Sequence, residues 1–183
     1  MRARALVGVL VVALGVTALT ACSDDEPPST LPKISASPSP SESAAGEVPE
    51  EAREATPEGA AEFVRFFYDR LEAAYAGPDP ELVRPLVETS CEACARILRS
   101  LERLRKEQLQ VDGHVIEVMD VVTPASQDSD KVVVTAVLRF SPYVERDARG
   151  TEVYSEPAAE QVVQDLELQR RRGAWVVTAV AES

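Results

Sequence analysis

Near Leu109 the spacing of apolar residues changes from a helical period to a period of two, and this change constrains the fold more than any other feature of the chain. Upstream, TPEGAAEFVRFFYDRLEAAYAG carries Phe63, Phe67, Leu71 and Tyr75 on one side, with Phe66 and Ala74 widening the stripe. Thr56 suits the N-cap, Pro57 the first helical position and Glu58 the positive end of the helix dipole. Downstream, Val132, Val134, Ala136, Leu138 and Phe140 alternate with a more polar set in KVVVTAVLRF. Val162, Leu166 and Leu168 do so in QVVQDLELQ, and Trp175, Val177 and Ala179 in AWVVTAVA. A helical period and a strand period each demand a buried face. When helices precede strands rather than alternating with them, an α+β domain results, with helices on one side of an antiparallel sheet.

Two shorter helices complete the first half. Gly77-Pro78 ends the first helix, and Asp79-Pro80-Glu81 restarts one through Leu86 by the same cap-then-proline logic. Ser90 opens a third, SCEACARILRSLERLRKEQ, with Cys94, Ile97, Leu101 and Leu104 facing inward and Leu98 beside them. Glu92 with Arg96, and Glu102 with Lys106, are spaced for i,i+4 pairs. Asp112-Gly113, between LQV and HVIEVMDVV, is a strong local hairpin signal. Gln127 to Asp130 and Arg171 to Gly173 read as tight connections between the remaining strands. Residues 56–183 suffice for one hydrophobic core and not for two.

The chain begins MRARALVGVLVVALGVTALTAC. Arg2 and Arg4 precede an uninterruptedly uncharged stretch with no acid before Cys22, the order of a secretion signal. As a membrane span the stretch is short and is broken by Gly8, Gly15 and Thr17. Leu19-Thr20-Ala21-Cys22 resembles the lipobox of bacterial lipoproteins. That resemblance implies cleavage after residue 21 and lipid on Cys22, holding the protein at the outer face of the cell membrane. Residues 22–55 are rich in Ser, Pro, Ala and Glu and nearly free of large apolar side chains. Such a segment cannot offset the entropy of ordering itself and reads as a disordered tether. Loss of two arginines and no acid takes the formal net charge from −12 to −14. That balance excludes nucleic acid as a partner, because phosphate recognition needs a basic surface.

Helices followed by a curved antiparallel sheet resemble the cone-shaped fold of nuclear transport factor 2 and ketosteroid isomerase. TPEGAAEFVRFFYDRLEAAYAGPDPELVRPLVETSCEAC, residues 56–94 behind a lipobox and a Ser/Pro-rich tether, is similar to a family of uncharacterised actinobacterial lipoproteins. In that family Cys-x-x-Cys opens a later helix, and Cys91 and Cys94 match that pair. The resemblance implies no activity.

Cys91-x-x-Cys94 has three physical readings. A zinc half-site needs further ligands, and the domain offers only His114 besides carboxylates. A redox dithiol needs a low-pKa thiolate, normally behind a strand, whereas Leu82 to Glu88 reads as helix and loop. A structural disulfide outside the cytosol is the favoured reading. In enzymes of the cone fold, acids, Tyr or His lie between sheet and helices. Here Tyr68, Asp120 and Asp165 form the candidate pocket. Asp120 shares the phase of Ile116 and Val118, unless a bulge reverses it. Tyr75 fits the core, and His114, after Asp112-Gly113, fits an exposed loop. No phosphate cradle, nucleophile elbow or metal-spaced cluster appears, so no cofactor is expected. The expectation is therefore a non-catalytic module that takes an envelope protein or a small apolar ligand. Self-association would use an outward set comprising Val133, Val137, Val176 and Val180. A small cone-fold enzyme and a thiol–disulfide redox protein are the alternatives.

Overall fold

A computed structural model describes residues 47–125 and 130–182. The signal segment 1–21, the lipidation candidate Cys22 and tether residues 22–46 lie outside the described residues.

Helix α1 spans Pro57–Ala76, and Thr56 caps it by accepting a hydrogen bond from the Gly59 N–H at 3.0 Å. Its inner face buries Phe63, Phe67, Tyr68 and Leu71. The expected short helix over 79–86 is two single 3-10 turns, Pro80–Leu82 and Arg84–Leu86. Pro80 and Pro85 lack the N–H an α-helical ladder needs, and Pro85 disfavours α geometry at Arg84. Helix α2 spans Glu92–Lys106 and buries Cys94, Leu101 and Leu104. Its cap is Cys91, one residue beyond the expected Ser90; the Cys91 sulfur accepts from the Cys94 N–H at 3.2 Å. Glu102 pairs with Arg84 at 2.7 Å, across to the preceding turn, rather than with Lys106 along the helix.

Seven strands follow: β1 Gln110–Asp112, β2 Ile116–Val122, β3 Lys131–Phe140, β4 Tyr143–Arg146, β5 Glu152–Glu156, β6 Ala159–Arg171 and β7 Ala174–Glu182. They form a four-stranded sheet, β2-β3-β6-β7, and a three-stranded one, β1-β4-β5, with every ladder antiparallel. Helix α1 lies against β2 and β3, and α2 against β7. The α+β expectation, helices over a bulged antiparallel sheet, holds.

The Asp112-Gly113 hairpin does not form. β1 pairs with β4, and β2 with β3, so this turn carries the chain from one sheet to the other. Gly113 has φ +88°, and a Cβ there would lie 2.8 Å from the Pro142 carbonyl oxygen. The glycine serves a close backbone crossing as well as a turn.

Register shifts in the large sheet invert the alternation twice where it matters. Between Val118 and Asp120, β2 slips one place against β3. Val121 then pairs with Ala136 on the core side, and Asp120 with Val137 on the outer side. Between Glu167 and Leu168 the pairing with β7 also slips, so Leu166 faces Val180 while Leu168 faces Val177. Val180 therefore joins the core face, and the expected inward residue Ala179 leaves it. A further shift lies between Leu138 and Phe140. Bulges of this kind bend and twist the strands that carry them.

The boundary expected between residues 55 and 56 is also corrected. Glu51–Arg53 forms a 3-10 turn whose Ala52 is fully buried. The Arg53 carbonyl accepts from Arg170 and the Glu54 carbonyl from the Trp175 indole N–H, each at 2.8 Å. A Cβ on Gly59 would lie 2.4 Å from the Glu54 carbonyl oxygen, so α1 approaches this segment as only glycine permits. Docking uses buried Ala52, half-buried Val48 and two backbone carbonyls, in a segment whose composition otherwise reads as tether.

A cavity beneath the first helix

Between α1, α2 and the concave face of the large sheet lies a cavity of about 180 Å³. Its walls are apolar and aromatic, including Phe67, Leu71, Ile97, Phe140 and Val180, with polar groups supplied by Tyr68, Gln164 and His114. Tyr68 reaches it because it lies in the buried stripe of α1, 2 % exposed, and its hydroxyl donates to Gln164 Oε1 at 2.7 Å. Burial pushes the Tyr68 phenol well above its ordinary range, which keeps it a neutral donor. Gln164 is paired with Ala136 on the inward register of β6.

The His114 ring stacks on Tyr75, with centroids 4.2 Å apart, and meets the Tyr143 ring edge-on at 5.0 Å. Its Nδ1 is enclosed and makes no hydrogen bond. Burial lowers the imidazole pKa, against an opposing pull from Glu72, whose carboxylate accepts from the Ile116 N–H at 2.9 Å. Burial raises the Tyr75 phenol and pushes that of Tyr143 up to about 12. The site is thus a largely apolar chamber lined by two phenols (Tyr68 and Tyr75), an amide and an imidazole.

Of the three candidate pocket residues, only Tyr68 lines the cavity. Asp120 is exposed on the outer face, where its carboxylate accepts from the Val121 N–H, because the β2 bulge reverses the phase. Asp165 is also on the outer face and accepts from the Thr135 hydroxyl at 2.6 Å. No acid is among the described residues that line the chamber. His114, expected in an exposed loop, is half-buried instead, because the chain crossing at Gly113 turns it under Tyr75. Gln164 and Val180 escaped sequence reasoning. Gln164 was readable, being a polar residue in phase with Val162, Leu166 and Leu168. Val180 depends on the bulge and carried no such signal.

Cys91 and Cys94 are joined by a disulfide, with Cα atoms 5.2 Å apart. Cys91 is 1 % and Cys94 0 % exposed, so a second thiol has no path to either sulfur. The loop in front is fastened to β7: the Glu88 N–H donates to the Val177 carbonyl at 2.9 Å. The bond clamps the start of α2 beside that joint. Among the described residues no group of three or more His, Cys, Asp or Glu side chains could hold a metal ion.

Residues 38–181 match a family of unknown function (DUF6318). No curated protein matches the chain. Among solved structures, the intermembrane space region of the chloroplast protein ARC6 superposes with a TM-score of 0.51 at 13 % identity, covering 68 % of this chain and 93 % of that one. Aln2 from a Streptomyces species gives 0.43 at 15 %, covering 66 % and 86 %. A protein of unknown function with a cystatin-like fold from Nostoc punctiforme gives 0.42 at 8 %, covering 68 % and 89 %. The likeness to the ARC6 region is one of fold.

Proposed function

We propose, from the premise that the chain belongs to the family of unknown function DUF6318, that it is a lipid-anchored, extracytoplasmic module that binds a small apolar molecule without transforming it. The observation that carries this reading is the chamber of about 180 Å³. Concave, mostly apolar sites with a few convergent polar groups are the usual form of small-molecule sites. The enzyme alternative places an acid or a Tyr in the chamber; the acids proposed for that role, Asp120 and Asp165, face the other way, and Tyr68 lines the chamber with its hydroxyl engaged by Gln164. The disulfide supports a structural rather than a redox role for Cys91 and Cys94, since both sulfurs are covered.

The test is a panel of small apolar ligands scored by thermal shift, on the wild-type chain and on Ile97→Trp. Ile97 is half-buried at the chamber wall, so the indole would fill the space that a ligand uses. We expect ligands to raise the wild-type melting temperature and to leave that of the variant unchanged. An equal shift in both proteins, or none in either, overturns the reading.

A second reading is supported by the outer face of the large sheet. Val122 is 52 % and Val133 39 % exposed there, alongside half-buried Val137, Val163 and Val176. Val180, expected in that set, belongs to the chamber instead. A second copy of the chain on this face would bury these side chains. Sedimentation at micromolar concentration, comparing wild type with Val133→Lys, distinguishes a dimer from a monomer.

A further inference from the structure

The chemistry of the chamber's occupant follows from what its walls leave unused. The volume of about 180 Å³ is close to the roughly 150 Å³ of an engineered apolar cavity that accepts benzene. No charged side chain lies among the described residues lining it, and an unpaired charge moved there from water would carry a large desolvation cost. The polar groups of the walls differ in what remains to them. His114 Nδ1 is sealed off and offers nothing to an occupant. The Tyr75 hydroxyl is engaged with Ser100. The Tyr68 hydroxyl gives its proton to Gln164 Oε1 at 2.7 Å. That leaves the Gln164 amide nitrogen, which has no partner among the described residues and is not closed off.

Gln164 stands in register with fully buried Ala136, so its side chain is on the inner face of the sheet. A glutamine on that face that is only half-buried has its remaining surface at the chamber it lines. The bond from Tyr68 occupies Oε1 and leaves both N–H groups of the amide as donors. Idle lone pairs, such as those left on the Tyr68 oxygen, are tolerated in protein interiors better than idle N–H groups. Resting on the binding reading above, we infer that the occupant is an uncharged, single-ring compound whose carbonyl oxygen accepts a hydrogen bond from the Gln164 amide. Phe67 and Phe140 supply an aromatic wall for its ring. A site built to hydrogen-bond one group of a ligand rejects the analogue that lacks it, and so selects among apolar rings of one size.

Acetophenone and α-methylstyrene, nearly equal in shape and differing by a carbonyl oxygen against a methylene, are the probes. The ketone loses more hydration on entry, so the informative quantity is the ketone-to-alkene affinity ratio compared across variants. Both affinities would be measured on the full-length chain at one detergent concentration, where uptake by micelles cancels between variants. We expect the ratio to be unchanged in Tyr68→Phe and to fall about tenfold when Gln164→Leu is added to it, the worth of a good hydrogen bond to a buried group. The two substitutions are combined because Gln164→Leu alone would free the Tyr68 hydroxyl to donate in its place. Infrared spectra of carbonyl-labelled acetophenone on wild type and on Tyr68→Phe give a readout that stands even if the double variant fails to fold. The band of the bound ketone should lie below its position in hexane in both proteins, and benzoate should not bind. A ratio that already falls in Tyr68→Phe assigns the donor to the phenol and overturns the inference. A ratio unchanged in the double variant, or a bound band at the hexane position, overturns it while the binding reading survives. A water that the ketone cannot displace from Gln164 gives that same result. Benzoate binding refutes the uncharged ligand. If neither acetophenone nor α-methylstyrene binds at millimolar concentration, the binding reading falls too.

Discussion

His114 shows how one side chain couples the chamber to solution conditions. Its environment is Glu72 and Tyr75 from α1 and Tyr143 from β4. Burial outweighs the pull of Glu72 and lowers the folded-state pKa below the ordinary value of about 6.5. An unfolded chain therefore binds a proton that the folded one refuses, and stability rises with pH through that window. The stabilisation is fully present above about pH 6.5 and is lost as the pH falls through the lower folded value. Melting temperatures from pH 5 to 7.5 should fall on the acid side in wild type, and His114→Phe should flatten that slope. An identical slope in both proteins would assign the acid sensitivity to carboxylates instead. The residue-scale reading of the sequence succeeded for the disulfide of Cys91 and Cys94; Tyr68 was named as a candidate without being placed in the buried stripe of α1, where it lies. It failed for His114 because burial there follows from a chain crossing between two sheets, which local sequence does not encode.

At the scale of elements, one buried ion pair ties the small sheet to α2. Glu145 of β4 is 2 % exposed and accepts two hydrogen bonds from Arg103 of α2, both at 2.7 Å. Removing one partner from a buried ion pair costs far more than the pair contributes, because the other charge is left stranded. The Arg103 side chain is 41 % exposed, so water screens part of the loss and the lower end of the range applies. Arg103→Leu should cost about 2–3 kcal/mol, and Arg103→Leu with Glu145→Leu should recover much of it. Urea unfolding of the single and double variants checks this, and purely additive losses would mean the two residues act independently. Helix and strand periods were legible here because each repeats over several turns or pairs. Strand pairing was not. The Asp112-Gly113 signal is local, while the choice of β4 over β2 as the partner of β1 is made by long-range packing. The bulges at Met119 and Thr178 reverse the phase at one residue each: for Asp120 this is the reversal the sequence left open, whereas Val180 was assigned to the wrong face.

For the whole molecule, membrane attachment is the proposal that decides where any ligand is met. Two acyl chains hold a protein on a bilayer far better than one, which is what the resemblance around Cys22 implies. Wild type should partition into detergent with Cys22 modified, and Cys22→Ala should remain an unprocessed, unlipidated precursor. Mass spectrometry of the membrane fraction checks it, and a wild-type mature chain starting at any other residue would refute it. The segment Glu47–Glu54 adds a mechanical consequence. It grips Arg170 and Trp175 through its carbonyls, beside the β6–β7 turn. Any tension carried along the chain from upstream of Glu47 therefore meets this clasp before it reaches α1. The clasp acts as a strain relief: it must peel away, taking Trp175 out of its hydrogen bond, before force can bear on the helix that roofs the chamber.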